Sequence, residues 1–193
     1  MRLFIAIDLD DAIRQRILRF MDGVREFAPG VRWLSPAFLH ITLKFIGQTE
    51  QFEAIQEKLG QIQAVRSQIS FRGTGFFPTP RSPRVFWVGV EADEHLAQLA
   101  RRLDEVLLPL GIEKEDRAFT PHLTLARSGS GAPRRQSSDG PNKKFQRLQQ
   151  QLAKIAPSPP EFGTMTARQF FLYQSKTAPS GAVYTRLAGF ELQ

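Results

Sequence analysis

His40-Ile41-Thr42-Leu43 and His122-Leu123-Thr124-Leu125 are two copies of one short pattern, His-x-Thr-Leu. The chain contains three histidines, and two of them lie in these matching positions. Apolar and polar residues alternate through both copies, which is the period of a β-strand. Because a strand directs alternate side chains to one face, the pattern predicts that the histidine and the threonine of each copy point the same way. In the first copy, the alternation predicts that Lys44 shares that face.

The repeat extends beyond the two tetrapeptides. The two histidines are 82 positions apart, and the same offset aligns residues of a preceding strand and helix. The aligned pairs include Arg2 with Arg84, Phe4 with Phe86, Asp11 with Asp93, and Ile17 with Leu99. Two copies of one supersecondary unit commonly pack about a pseudo-twofold axis, as subunits do in symmetric dimers. The repeat therefore predicts that both histidines meet in a shared cleft.

Hydrophobic periodicity and turn residues predict the order of the elements. We expect strands at 2–9, 38–46, 68–77, 84–91, 120–127, 164–175 and 182–191, and helices at 11–27, 50–65, 93–109 and 143–155. The polar, Gly-rich segment 128–142 is predicted to be a loop.

Strands mixed with helices and a duplicated half indicate an α+β fold. We expect two pseudo-symmetric lobes of mainly antiparallel sheet with flanking helices, and a central cleft between the two His-x-Thr (HxT) strands. The lobes form a single domain over residues 1–193, built from duplicated units at approximately 1–82 and 83–193. The chain is expected to cross between lobes near its termini.

The composition limits the class of protein. A hydrophobic content of 41% and a charged content of 23% are typical of a soluble globular chain. The absence of cysteine excludes disulfides and cysteine-based zinc sites. The sequence has no signal-peptide h-region and no apolar stretch of the ~20 residues that a membrane helix needs. We therefore expect a cytoplasmic protein with no membrane association, and a monomer, since one chain supplies both histidines.

The charge balance favours an anionic partner. The formal net charge is +7 and the sequence pI is about 10.2, and excess positive charge attracts polyanions such as nucleic acids. Part of this charge lies in and beside the 128–142 loop, at Arg134, Arg135, Lys143 and Lys144.

Two imidazoles paired with two hydroxyls are suited to acid–base chemistry on a phosphate. The ordinary pKa of histidine is about 6.5, so one ring can accept a proton while the other donates one near neutral pH. The hydroxyls of Thr42 and Thr124 can donate hydrogen bonds to charged phosphoryl oxygens. This scheme requires neither a metal ion nor an organic cofactor. The two copies are nearly equivalent, so the residues themselves leave open which histidine is the acid.

The chain resembles the 2H phosphoesterases, and among them the RNA 2′,3′-cyclic phosphodiesterases, a 2′–5′ RNA ligase-like family. The resemblance covers nearly the whole chain. Its segments are Arg2-Leu3-Phe4-Ile5-Ala6-Ile7, Val31-Arg32-Trp33, the first HxT strand through Gly47, Gly75-Phe76-Phe77-Pro78, Arg84-Val85-Phe86-Trp87-Val88-Gly89, Phe119 through Arg127, and Ser180-Gly181 with Tyr184. The departures are Ile41 and Ile46, where leucine is more usual, and a long 128–142 loop.

The resemblance implies an enzyme that hydrolyses the terminal 2′,3′-cyclic phosphate of RNA to a 2′-phosphate. It implies His40 as general acid and His122 as general base, with Thr42 and Thr124 beside them. ATP-independent joining of RNA through a 2′–5′ linkage would use the same groups. The expected partners are RNA 3′ ends that carry a cyclic phosphate, including tRNA fragments. Candidate substrate-binding residues are Arg127, Lys44, Trp33, Phe76 and Tyr184.

Two other functions stay open. In the first, the protein is a non-catalytic RNA-binding module whose histidines are structural. In the second, the chemistry is the same but the substrate is a small nucleotide, such as a cyclic mononucleotide or an ADP-ribose cyclic phosphate. The basic loop argues mildly against the small substrate.

Overall fold

The computed structural model describes residues 1–129, 143–156, 158–178 and 181–193. In this part of the chain, nine strands form one sheet and four α-helices flank it. The strands are β1 (Arg2–Asp8), β2 (Arg32–Trp33), β3 (His40–Gln48), β4 (Ser67–Phe77), β5 (Val85–Ala92), β6 (His122–Arg127), β7 (Glu161–Ala167), β8 (Gln169–Ala178) and β9 (Gly181–Glu191). The helices are α1 (Asp11–Val24), α2 (Phe52–Gly60), α3 (Glu94–Leu107) and α4 (Gln146–Ile155). None of these helices is long and apolar enough to cross a lipid bilayer.

The sheet is antiparallel throughout and divides at its centre into two lobes. Its order is β7-β4-β5-β6-β3-β1-β8-β9, with β2 beside β6. One lobe contains β3, β1, β8 and β9, and the other contains β6, β5, β4 and β7, so the two HxT strands are the central neighbours. The predicted α+β class with two antiparallel lobes is confirmed.

The lobes do not follow the two halves of the sequence. Strand β4 precedes residue 82 but pairs with β5 in the second lobe, whereas β8 and β9 follow β7 in sequence and pair beside β1 in the first lobe. Each lobe is thus completed by strands from the other half of the chain.

The single strand predicted at 164–175 is wrong. Residues there belong to β7, which pairs with β4, and to β8, which pairs with β1 and β9. The change of partners occurs at Arg168, the one residue between the two strands. The alternation breaks here, at the polar pair Arg168-Gln169 and the apolar run Phe170-Phe171-Leu172. The break contains no Gly or Pro turn signal, so it did not indicate that the chain passes from one lobe to the other. The two-residue strand β2 was too short to be predicted from its pattern.

Helix α1 covers one face of the second lobe. Its apolar stripe, Ile13, Ile17, Met21 and Val24, is buried, and the ring of Phe20 lies 5.2 Å from that of Phe162 on β7. Each fully buried aliphatic side chain contributes roughly 1.5–3 kcal/mol to stability. Because the helices pack on this face, the opposite face of the HxT strands is left for a cleft.

Both HxT strands contain a β-bulge at the same place. Between β1 and β3, the register passes from Ala6↔Thr42 to Ile5↔Lys44, so Leu43 is an extra residue. Between β5 and β6, it passes from Trp87↔Thr124 to Phe86↔Ala126, so Leu125 is extra. A bulge interrupts the alternation of side chains between faces. The residues that follow each bulge are therefore displaced to the face that simple alternation would not predict.

The bulge places Lys44 on the helix side of the sheet, so the prediction that it shares the face of His40 is wrong. Its side chain is 2% exposed, and its ammonium lies 2.6 Å from a carboxylate oxygen of Asp104 on α3. It also donates to the carbonyl oxygen of Glu113 at 2.5 Å. Lys44 thus joins β3 to α3 and has no access to the cleft.

The same registers correct the alignment of the first strands. Ile5 pairs with Lys44, and Phe86 pairs with Ala126, which is 82 residues after Lys44. The structural equivalent of Phe86 is therefore Ile5, and the predicted match of Phe4 with Phe86 is displaced by one residue. Since neighbouring residues of a strand face opposite ways, Phe86 is buried in the core, while Phe4 lies on the cleft face.

Replacement of Lys44 tests the buried ion pair. Lys44→Met leaves the mostly buried carboxylate of Asp104 without a counter-charge, and we expect the free energy of unfolding in urea to fall by about 3–5 kcal/mol. The double variant Lys44→Met/Asp104→Leu removes both charges and should recover most of that loss. A loss below about 1 kcal/mol in the single variant, as for exposed pairs, would contradict this role.

Candidate active site

The two HxT strands meet at Ile41 and Leu123, which pair directly across the centre of the sheet. These two residues are also related by the offset of 82, so the pseudo-twofold axis passes between them. Both side chains are fully buried on the helix side. The residues that flank each of them therefore point to the opposite face, into the cleft.

The register brings the four HxT side chains together. On either side of the Ile41–Leu123 pair, His40 lies opposite Thr124, and Thr42 lies opposite His122, as antiparallel pairing requires. The two histidines are diagonal neighbours, whose separation in a regular antiparallel pair is about 7–8 Å. Two imidazoles and two hydroxyls thus face the same side of the sheet as close neighbours.

Both imidazoles are held in the same way. Nδ1 of His40 lies 2.7 Å from the carbonyl oxygen of Phe38, and Nδ1 of His122 lies 2.9 Å from that of Thr120. Since a carbonyl oxygen can only accept, each Nδ1 carries a hydrogen and donates it. Each Nε2 is left to accept or to deliver a proton in the cleft. Phe38 and Thr120 are themselves 82 positions apart, so the repeat includes the groups that orient both rings.

Aromatic rings form the wall around His40. The ring of Phe4 lies 4.9 Å from the imidazole, that of Tyr184 lies 5.3 Å away, and that of Tyr173 lies 6.3 Å away. Phe4 also stacks on Tyr173 at 5.2 Å. These rings shield the imidazole from water on one side and fix its orientation.

The ring beside His122 is Phe77, at 5.0 Å in an edge-on arrangement. The predicted Phe76 points the other way, because it is the preceding residue of the same strand. Its ring stacks on Phe86 at 5.0 Å and packs against Phe145. Phe76 is therefore a core residue, and the structure does not bring it to the site.

Burial lowers the pKa of both histidines. The pKa of His40 falls to about 4, chiefly because its ring is buried, although the bond to the Phe38 carbonyl and the charge of Asp8 act in the opposite direction. Burial also lowers the pKa of His122, and the bond to the Thr120 carbonyl opposes this shift. Arg127 lowers both pKa values further. Both rings are therefore neutral near pH 7 when no anion is bound.

Asp8 makes the two halves of the site different. It pairs with His40 across β1 and β3, whereas the residue that pairs with His122 is Gly89, which has no side chain. The Tyr173 hydroxyl donates to one oxygen of Asp8, and the Arg186 guanidinium contacts the other. Of these two equivalent positions in the described part of the chain, the one beside His40 thus holds a fixed carboxylate and the one beside His122 holds none.

The Asp8 network escaped sequence reasoning, because an aspartate at the end of a strand has no distinctive pattern. Burial and the bond to Asp8 raise the pKa of Tyr173 to about 12. The phenol therefore stays protonated at neutral pH and keeps donating to the carboxylate.

Arg127 lies at one end of the cleft, where it follows the bulge of β6 and returns to the cleft face. Its Cα pairs with that of Arg32 on β2. Burial lowers the pKa of Arg127, and the charge of Arg32 lowers it further. Arg127 was predicted from the sequence as a candidate binding residue but Arg32 was not, although Arg32 lies in the Val31-Arg32-Trp33 segment that carries part of the family resemblance.

A cavity of about 690 Å³ opens beside this pair of arginines. Trp33 and Tyr184, two of the predicted binding residues, also line it. The indole of Trp33 is anchored by a bond from Nε1 to the Ala28 carbonyl oxygen at 3.2 Å. Three of the five predicted binding residues are thus brought to one cavity next to the HxT residues: Arg127, Trp33 and Tyr184.

Some predicted features lie partly or wholly outside the described residues. Arg134, Arg135 and Ser180 belong to that group. Lys143 and Lys144 form a short turn before α4, and Lys144 donates to the carbonyl oxygen of Ser128 at 2.8 Å. Within the described ranges, no three histidine, aspartate or glutamate side chains are close enough together to hold a metal ion.

Sequence comparisons show which known proteins this chain resembles. The sequence profile of the 2′-5′ RNA ligase superfamily matches residues 10–153. A protein of Archaeoglobus fulgidus named RNA 2′,3′-cyclic phosphodiesterase is 37% identical over 99% of this chain and 100% of its own length. A Thermus thermophilus protein of the same name is 32% identical over 100% of this chain and 91% of its own.

Solved structures match the fold over its full length. Escherichia coli LigT in complex with 3′-AMP superposes with a TM-score of 0.74 at 29% identity, covering 99% of this chain and 97% of LigT. TT0787 of Thermus thermophilus superposes with a TM-score of 0.77 at 30% identity, covering 100% and 98%. The resemblance predicted from the two HxT motifs is confirmed, and the chain belongs to the 2′-5′ RNA ligase superfamily.

Proposed function

We propose that this protein hydrolyses the terminal 2′,3′-cyclic phosphate of RNA to a 2′-phosphate, with His40 as general acid and His122 as general base. The observation that carries the proposal is the register of β3 and β6, which sets two imidazoles and two threonines around one space. The names of the relatives, RNA 2′,3′-cyclic phosphodiesterase, support the choice of substrate.

The proposed reaction uses the Nε2 atom of each ring. His122 Nε2 takes a proton from a water molecule as the water oxygen bonds to phosphorus. The bond from phosphorus to the ribose 3′ oxygen breaks, and His40 Nε2 delivers a proton to that oxygen. Hydroxyls of Thr42 and Thr124 donate hydrogen bonds to the non-bridging oxygens, whose negative charge is thereby stabilised.

Asp8 supports the assignment of His40 as the acid. A carboxylate beside an imidazole stabilises its protonated form, and Asp8 faces His40 while Gly89 faces His122. In the proposed role His40 holds its proton once the anionic substrate is bound, and Asp8 partly opposes the effect of burial on that ring.

Substrate binding is assigned to residues at the Arg127 end of the cleft. In this proposal Arg127 holds a phosphate oxygen, and Tyr184 and Trp33 contact the RNA. Lys44 and Phe76 are not part of the proposed binding set, since both point to the core. If the 5′-hydroxyl of a second RNA replaced water, the same groups would form a 2′–5′ linkage. Three expectations stay predictions: that the protein is cytoplasmic, that it is a monomer, and that its substrates include tRNA fragments.

Removal of either imidazole should abolish most of the activity. We expect His40→Ala and His122→Ala each to lower kcat about 10²–10⁴-fold on an RNA that ends in a 2′,3′-cyclic phosphate, with RNA binding largely kept. The third histidine provides a matched control, because His95 lies in the first turn of α3, outside the cleft, and His95→Ala should keep full activity. A wild-type protein that binds this RNA without turnover would instead be a binding module.

The pH dependence should reflect the lowered pKa values. Catalysis needs one proton on the pair of histidines, and this state is most populated between the two pKa values. Because burial lowers both below the ordinary 6.5, kcat/KM should be bell-shaped with its maximum on the acid side of pH 6.5. The bound anion raises both pKa values, so kcat should peak at higher pH. Coincident maxima at or above pH 7 would contradict the effect of burial.

The acid and the base can be distinguished by the leaving group. In a substrate with sulfur in place of the 3′ oxygen, the leaving group is a thiolate. A thiolate departs without protonation, so its departure does not need a general acid. We expect the loss in His40→Ala to shrink to less than about tenfold on this substrate, while the loss in His122→Ala stays as large as on the oxygen substrate. The opposite pattern would show that the two roles are exchanged.

A further inference from the structure

The cleft has two ends that the pseudo-twofold axis relates, and each end opens into a cavity. The cavity of about 690 Å³ at the Arg127 end is here called the basic pocket, and it is lined by Arg25, Arg32, Trp33, Phe38, Arg127 and Tyr184, among others. The cavity of about 460 Å³ at the other end is called the acidic pocket, and it is lined by Phe45, Glu113, Lys114, Glu115 and Asp116, among others.

The two pockets share several equivalent positions. Arg32 and Trp33 of the basic pocket correspond, at the offset of 82, to Lys114 and Glu115 of the acidic pocket. Arg127 corresponds to Phe45, and each is the first residue after its bulge to return to the cleft face. The backbone repeat thus gives both ends a pocket, and the side chains alone make the ends different.

The charges of the two ends are opposite. In the basic pocket, the one carboxylate, Asp22, is paired with Arg25 at 2.9 Å. No carboxylate of the described residues is within ion-pair distance of Arg32 or Arg127, although the two arginines are neighbours in register. The acidic pocket is lined by three residues with carboxylates and by a single lysine. An anion would neutralise the repulsion between the two arginines at one end and would be repelled at the other.

We propose that the basic pocket is the subsite for the nucleotide on the 5′ side of the reacting terminus, and that Arg32 holds the phosphodiester that joins the two nucleotides. This inference rests on the proposed function. An RNA that ends in a cyclic phosphate continues in one direction only, so a single basic end is sufficient to hold it. The pocket has the volume of a small-ligand site, and exposed parts of its aromatic residues offer surfaces on which a base can stack.

The direction of the RNA also orders the reaction. The ring of Tyr184, which lines the basic pocket, lies 5.3 Å from that of His40. With the RNA in this pocket, the ribose and its departing 3′ oxygen lie on the side of His40. Water then reaches phosphorus from the side of His122 and the acidic pocket. The difference in charge between the two pockets would therefore determine both the direction of the bound RNA and the role of His40 as the acid.

The test compares two substrates and two pseudo-equivalent variants. The substrates are adenosine 2′,3′-cyclic monophosphate and a short RNA that ends in the same cyclic nucleotide. In Arg32→Ala, we expect the ratio of kcat/KM for the RNA to kcat/KM for the mononucleotide to fall about tenfold, since one charge-assisted contact to an internal phosphate is lost. In Lys114→Ala, the equivalent position of the acidic pocket, the ratio should stay as in the wild type. Arg32→Lys should restore part of it.

Three outcomes would overturn the subsite. They are a wild-type enzyme with no preference for the RNA, equal losses on both substrates in Arg32→Ala, and equal falls of the ratio in both alanine variants. Binding of the same RNA, measured by fluorescence anisotropy at two salt concentrations, gives a readout without turnover. There, Arg32→Ala should reduce the slope of log K against log salt by about 1, and an unchanged slope would also overturn the subsite. If the slope falls but the wild type hydrolyses neither substrate, the subsite stands and the proposed function fails.

Discussion

The pairing of Ile41 with Leu123 is the contact on which the site depends. It joins the two lobes at the centre of the sheet, and both side chains are sealed in the core. A slip of one residue in this register would turn over the side chains of one HxT strand, so one of the two histidines would face the helices. Because each residue is the equivalent of the other, a single apolar pair fixes both the symmetry axis and the convergence of the rings.

The two bulges explain how each HxT strand contributes side chains both to the cleft and to the core. Before each bulge, histidine and threonine face the cleft. After it, a second consecutive residue faces the helices, Lys44 in one copy and Ala126 in the other. The next residue returns to the cleft, and here the copies diverge, with Phe45 at one end and Arg127 at the other. The repeat thus gives the centre of the site its symmetry. Phe45 and Arg127, which differ in charge, make the two ends of the cleft different.

Sequence reasoning was sufficient wherever the pattern is local. It located both HxT strands, their shared face and the antiparallel class, because alternation and duplication determine these. It misplaced Lys44 because a bulge adds one residue without changing the composition of the strand. It joined β7 to β8 because a single residue, Arg168, separates the two strands and no Gly or Pro marks the change of partner. The role of Asp8 could not be predicted, because it depends on contacts with Tyr173 and Arg186, which are far away in the sequence.

The electrostatics of the site suggest how a neutral pair of histidines becomes competent under the proposed mechanism. Without substrate, burial holds the pKa of His40 near 4, and the positive charge of Arg127 opposes a further proton. A phosphate anion replaces that repulsion by attraction. One negative charge at about 4 Å is worth about 4 kcal/mol at an effective dielectric constant of 20, which corresponds to about three pKa units. This is enough to return His40 to the neutral range, where a general acid works best. On binding of the anion, His40 would then take up from solvent the proton that it later delivers to the 3′ oxygen, and a site without an anion would stay uncharged at its centre.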